Sequence, residues 1–194
     1  MFRLQRLARW LLGLDHRRLL ETLDWPIRVN VPLVVVYHGP ESLNYLPVGL
    51  GAAAAAKDFF RRTCNIELQV TVSARAIAKW APGPEYAQTV LVEHRYRHGG
   101  ATFLVLIRSD EARLSGGRFL GQAFAGTGGF CVVAGNHPPP SLVNETAIHE
   151  LGHLFGLDHE DQTFMAAVLE VDERIVTKAQ RAKARQTAYQ YGSL

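Results

Sequence analysis

His149, Glu150, His153, Gly156 and His159 stand in the order His-Glu-x-x-His-x-x-Gly-x-x-His, and each fixed position has a chemical reason. Two residues four apart on an α-helix differ by about 40° around the axis and lie one turn apart. His149 and His153 would therefore turn their ring nitrogens towards one metal ion. Glu150 is about 100° round from His149, off the ligand face but within reach of a water on that metal. That is the position of a general base. A continuous helix would carry His159 about 9 Å along the axis beyond His153, whereas a metal–nitrogen bond is only about 2.0–2.1 Å. The helix must stop, and Gly156 supplies the stop, because glycine enters the left-handed conformation without a Cβ penalty.

Three neutral imidazoles with a fourth position open to water suit Zn²⁺, which brings the pKa of its water to about 7. Glu150 would take the proton as that water attacks a carbonyl and pass it to the leaving amine. By ligand chemistry alone, Fe, Mn, Ni or Co remain open. Opposite the ligands, Ala147, Ile148, Leu151, Leu154 and Phe155 form an apolar back face, so the helix is expected to pack on a core.

The eleven-residue stretch resembles the signature of the metzincin clan of zinc metallopeptidases. Met165, six residues past His159, matches the methionine turn of that clan. Leu169-Glu170-Val171-Asp172-Glu173-Arg174 resembles the segment after that turn in archaemetzincins. Those proteins carry a second, four-cysteine zinc site with one cysteine directly after the third histidine. Here that residue is Glu160 and no cysteine follows Cys131, so the resemblance implies one zinc per chain. It also favours zinc over the other metals and implies a peptide or protein as substrate. No tyrosine follows Met165 closely; the next residues are Ala166, Ala167 and Val168. In the clan a short antiparallel edge strand lines the cleft ahead of the active-site helix. Gly129, Phe130, Cys131, Val132, Val133 and Ala134 match it, and their backbone is expected to pair with an extended peptide. Two alternatives stand beside the peptidase: a zinc-bound peptide-recognition or regulatory protein, and a hydrolase of non-peptide amides. The intact Glu150 favours hydrolysis.

The elements that must position these residues alternate along the chain. Pro32–Tyr37 is an apolar, β-branched run, as in a strand covered on both faces. Leu50–Thr63, with the alanines 52–56, predicts a helix. Ile66–Val72 alternates with period two, and Thr102–Ile107 is a further strand. Six glycines between Gly116 and Gly129 predict a loop-rich stretch in place of regular structure. Phe130–Ala134 is a short strand, Ser141 the expected N-cap of the active-site helix, and Thr177-x-x-Gln180 a capping box opening a last helix to about Tyr189. The order predicts an α/β domain: a twisted, mostly parallel sheet with an antiparallel edge strand, the active-site helix and a C-terminal helix.

With 194 residues, 47% of them hydrophobic, the chain can bury one substantial core over residues 25–194. Its net charge of +3 is too small to argue for nucleic acid. Two distant cysteines, Cys64 and Cys131, fit a reduced, cytoplasmic setting better than a disulfide scaffold. Residues 1–24 carry a basic amphipathic helix, with Leu4, Leu7, Leu11 and Leu14 beside Arg3, Arg6 and Arg9. Packing on the domain is favoured over contact with a membrane surface, which needs a second signal. A third possibility is an inhibitory segment whose Asp15 or Asp24 reaches the zinc. His38, His94, His98 and His137 are taken as solvated or loop residues, and His16 belongs with the surface charges of the N-terminal helix. Oligomeric state leaves no trace in the sequence.

Overall fold

Ile27, Val29 and Val31 are buried while Arg28 and Asn30 between them are exposed, the period-two pattern of a strand with one covered face. Strand β1 accordingly spans Ile27–Tyr37, beginning five residues before the apolar run expected to form it. The computed structural model describes residues 24–37, 46–76, 103–107, 121–124, 130–134, 140–166 and 175–192. Helix α1 follows at Leu46–Cys64, then β2 at Ile66–Ala76 and β3 at Phe103–Ile107. Next come β4 at Gly121–Phe124, β5 at Phe130–Ala134, α2 at Pro140–Leu154 and α3 at Lys178–Gly192. The basic segment 1–23, the five isolated histidines, Gly129 and the Leu169–Arg174 stretch lie outside the described residues.

The five strands form one sheet in the order β2-β1-β3-β5-β4. β1 runs parallel to β2 and β3, and β3 parallel to β5; only β4 against β5 is antiparallel. The mixed α/β class and the largely parallel sheet are as expected, but the edge strand is not. Phe130–Ala134 is bonded on both sides, to Phe103–Ile107 and to Gly121–Phe124. The antiparallel edge is β4, from a stretch whose glycines had pointed to loop. Glycine lowers strand propensity, but the pairing of Gly121-Gln122-Ala123-Phe124 with β5 outweighs it.

α1 turns a strip of small and aromatic residues inward: Ala52, Ala53, Ala56, Phe59, Phe60 and Cys64 are all buried. Small side chains at its start let it lie close to its neighbours, and the two phenylalanines fill the space at its end. Phe60 meets Phe155 at 5.0 Å between ring centroids, and Phe59 meets Phe164 at 4.9 Å. One helix thus supports the chain just after α2 and the turn that follows His159. Each such fully buried side chain contributes roughly 1.5–3 kcal/mol.

α2 begins with Pro140, so Ser141 lies inside the first turn and is not the cap. Proline suits that position because its missing N–H would have no partner there. Its back face, Ala147, Ile148, Leu151 and Leu154, is at most 1% exposed, as the apolar pattern predicted. α3 opens on the expected capping box: Gln180 N–H donates to Thr177 Oγ1 at 3.2 Å and Thr177 N–H to Gln180 Oε1 at 3.1 Å. Arg185, buried on α3, donates to the carbonyls of Trp25, Cys64 and Asn65 at 2.8, 2.9 and 3.2 Å. It pins α3 to the start of β1 and the α1–β2 junction. Among the described residues, no helix is long and apolar enough to cross a membrane.

Candidate metal centre

The helical spacing places His149 and His153 side by side, their rings nearly perpendicular with centroids 4.7 Å apart. α2 then ends where Gly156 adopts φ +81°. Gly156 N–H donates to the His153 carbonyl at 2.9 Å and Leu157 N–H to the Gly152 carbonyl at 3.0 Å. Together they make the double closure of a Schellman motif. A Cβ at Gly156 would be strained by that φ and would lie 2.9 Å from Thr187 Oγ1 of α3. The chain folds back, and His159 Nε2 arrives 3.2 Å from Nε2 of both other histidines.

The His149–His153 Nε2 pair is 3.1 Å apart, so the three nitrogens mark a nearly equilateral triangle. His149 Nδ1 lies 3.2 Å from the Phe164 carbonyl and His153 Nδ1 2.8 Å from the Leu157 carbonyl. A carbonyl only accepts, so each Nδ1 holds the proton and each Nε2 of that pair presents a lone pair. Lone pairs facing one another at such a distance repel, and a shared cation resolves the arrangement. The circle through the three nitrogens has a radius of about 1.8 Å, which leaves a point about 2.0–2.1 Å from all of them, the zinc–nitrogen distance. His149, His153 and His159 are also the group among the described residues whose donor atoms could hold one metal ion.

Burial, then the charge of His153, lowers His149 to about 4, despite the bond to Phe164. Burial likewise lowers His153 against the bond to Leu157. Both shifts favour the neutral imidazole, the form that ligates a metal. Glu150, 7% exposed, is pushed up to about 8 by burial, while the backbone N–H of Ala123 on β4 acts downward. A cation among the histidines would act downward too. β4 comes this close because Gly121 has no side chain: a Cβ there would sit 2.7 Å from Glu150 Cγ and 2.6 Å from Thr146 Cγ2.

Met165 is fully buried against Gly152 of α2. Space for it comes from Gly152, where a Cβ would meet Met165 Sδ and lie 3.0 Å from Phe164 Cε2. Asp24 is not near the histidines. Its carboxylate receives two bonds of 2.7 Å from Arg181 and lies 3.4 Å from Arg185 Nη1. Burial acts upward on that carboxyl, but Arg181 and then Arg185 outweigh it and hold it below the usual range. In this structure Asp24 is thus engaged by α3, and Asp15 lies outside the described residues.

Four participants went unread in the sequence. Gly121 and Ala123 lie in the stretch taken as loop. Thr163 and Lys183 act through partners far away in the chain: Thr163 Oγ1 accepts from Gln180 Nε2 at 3.0 Å, and Lys183 Nζ reaches Asp158 Oδ2 at 2.8 Å. Nothing local in the sequence marked any of the four.

The sheet, the glycine-ended helix and the three convergent histidines are metzincin-like. The chain belongs to the metallopeptidase family M12B, reprolysin-like, whose family model matches residues 52–160. Members of that family use zinc, and His149, His153 and His159 could bind a single ion of it. No curated protein matches the chain. Among solved structures, its fold resembles the crystal structure of metalloproteinase-II from Bacteroides fragilis. That match has 14% identity and a TM-score of 0.62, and covers 85% of this chain and 54% of that one. A structure of a chaperone–substrate complex is similar over 71% of this chain and 27% of the other, at 14% identity and TM-score 0.50. The chain therefore spans only part of the length of the structures it resembles. The matched family is the reprolysin-like one, and α3 and Met165 lie beyond the matched stretch.

Proposed function

We propose that the chain is a zinc-dependent peptidase in which His149, His153 and His159 hold one Zn²⁺ and Glu150 is the general base. The observation that carries this reading is the triangle of imidazole nitrogens at 3.1–3.2 Å with a buried carboxylate on the next residue of the same helix. When bound, zinc polarises the scissile carbonyl and makes water acidic enough to attack at neutral pH. Glu150 takes the proton from the attacking water and returns it to the leaving nitrogen. Its hydrogen bond to Ala123 N–H fixes one carboxylate oxygen and leaves the other for that transfer. Met165 and Gly156 are positioning residues, the first packed against Gly152 of α2 and the second at the turn that returns His159.

Substrate capture is assigned to β4 and not to Phe130–Ala134. Among the described residues β4 is hydrogen-bonded on one side only, so its outer edge is the one an extended peptide could join. Within the clan the family match is to the reprolysin-like group, and the likeness of Leu169–Arg174 to archaemetzincins lies outside both the matched stretch and the described residues.

Digestion of a peptide library by zinc-replete protein, beside Glu150→Ala, tests the proposal. Wild type should cleave, and internal cuts or stepwise loss from the N-terminus will separate endopeptidase from aminopeptidase action. Glu150→Ala should keep its zinc and its helix, alanine being a strong helix former, yet lose at least about 10²–10⁴-fold in rate. Equal cleavage by both proteins would remove Glu150 from the mechanism. Zinc-replete wild type that binds peptides without cleaving them would establish a recognition protein instead.

A further inference from the structure

Thr163 Oγ1 stands at a three-way junction. It donates to the Glu160 carbonyl at 2.8 Å and accepts from Met165 N–H at 3.1 Å and from Gln180 Nε2 at 3.0 Å. A hydroxyl has one proton to give and two lone pairs, so its capacity is filled. Both side chains are buried: Thr163 is 9% and Gln180 5% exposed. Glu160 directly follows His159, and its N–H donates to the Met165 carbonyl at 3.1 Å. The junction thus closes the loop between the third histidine and the buried methionine. It also flanks the Phe164 carbonyl that receives His149 Nδ1.

Gln180 uses both ends of its amide. The oxygen caps α3 through Thr177 N–H, and the nitrogen reaches Thr163 seventeen residues earlier in the chain. A capping residue needs only the oxygen; a nitrogen buried against the Thr163 hydroxyl has a second task. We infer that Gln180, acting through Thr163, is a positioning residue for the metal centre, setting His159 and the Met165 turn so that α3 governs metal affinity. The inference rests on the reading of His159 as a ligand. Without the Thr163 hydroxyl, the Glu160 carbonyl, Met165 N–H and Gln180 amide lose their common partner. A buried polar group without a partner is costly enough to open the loop.

Zinc affinity of the full chain, measured by chelator competition, is the readout. Thr163→Val and Gln180→Met should each weaken zinc about 10–100-fold, as partners behind a metal ligand do. Thr163→Ser, which keeps the hydroxyl, should restore affinity to within about threefold of wild type. Thr177→Ala removes the cap from Gln180 N–H but leaves the Gln180–Thr163 bond, so it should lower the melting temperature and keep zinc affinity. Should Thr163→Val fail to fold, Gln180→Met, with every backbone partner of Thr163 in place, decides alone. Wild-type zinc affinity in Gln180→Met, or an equal loss in Thr177→Ala, overturns the inference and leaves the metal site standing. Unchanged affinity in His159→Ala itself overturns the metal-site reading, and the inference with it.

Discussion

The centre draws its three histidines from two regions that are built in different ways. His149 and His153 stand on α2, where backbone hydrogen bonds fix their separation and a fully buried back face fixes the helix. His159 stands on irregular chain and is exposed. Its place depends on the Gly156 turn, the Lys183–Asp158 pair, the Thr163 junction and the bond from Phe164 N–H to the Ile175 carbonyl at 3.3 Å. The difference teaches that helical periodicity can deliver two ligands by itself, whereas the third must be held by elements remote in sequence. α1 supports both regions with Phe59 and Phe60, and α3 holds only the second.

Four substitutions sharpen the contrast. His149→Ala or His153→Ala should have the largest effect: zinc is not retained against a chelator, while far-ultraviolet circular dichroism shows the helices intact. Retention of zinc by either variant would mean that α2 does not present the ligand pair. Gly156→Val comes next, because it leaves every ligand in place. A β-branched residue resists φ +81°, so thermal unfolding should show a loss of about 1–3 kcal/mol and zinc binding should weaken. Normal melting with full zinc occupancy would show that the turn does not direct His159. Lys183→Ala should do least, since its partner Asp158 is exposed on the surface and such pairs contribute little. A large drop in melting temperature or zinc content there would give α3 a stronger grip on the loop through this pair than proposed.

The same division explains what could be read from the sequence. The ligand pair, the Gly156 stop and the Thr177–Gln180 cap are local patterns, and each stands in the structure where its spacing put it. The alternation of Ile27, Val29 and Val31 was equally local, but the apolar run after it masked the true start of β1. β4 was not legible, because four residues beginning with glycine carry no strand signal until β5 pairs with them. With β4 hidden, Phe130–Ala134 took the edge position that it does not hold. Thr163 and Lys183 could not be read for a related reason: the partner of Thr163, Gln180 on α3, lies 17 residues away, and that of Lys183, Asp158 in the loop after α2, lies 25 away.

Metal content of the purified chain tests most directly whether the two regions build one centre. Elemental analysis should give one zinc per wild-type chain, and His159→Ala, taken through the same chelator wash, should lose it. Two equivalents in wild type, none after zinc loading, or one equivalent still held by His159→Ala would contradict the account.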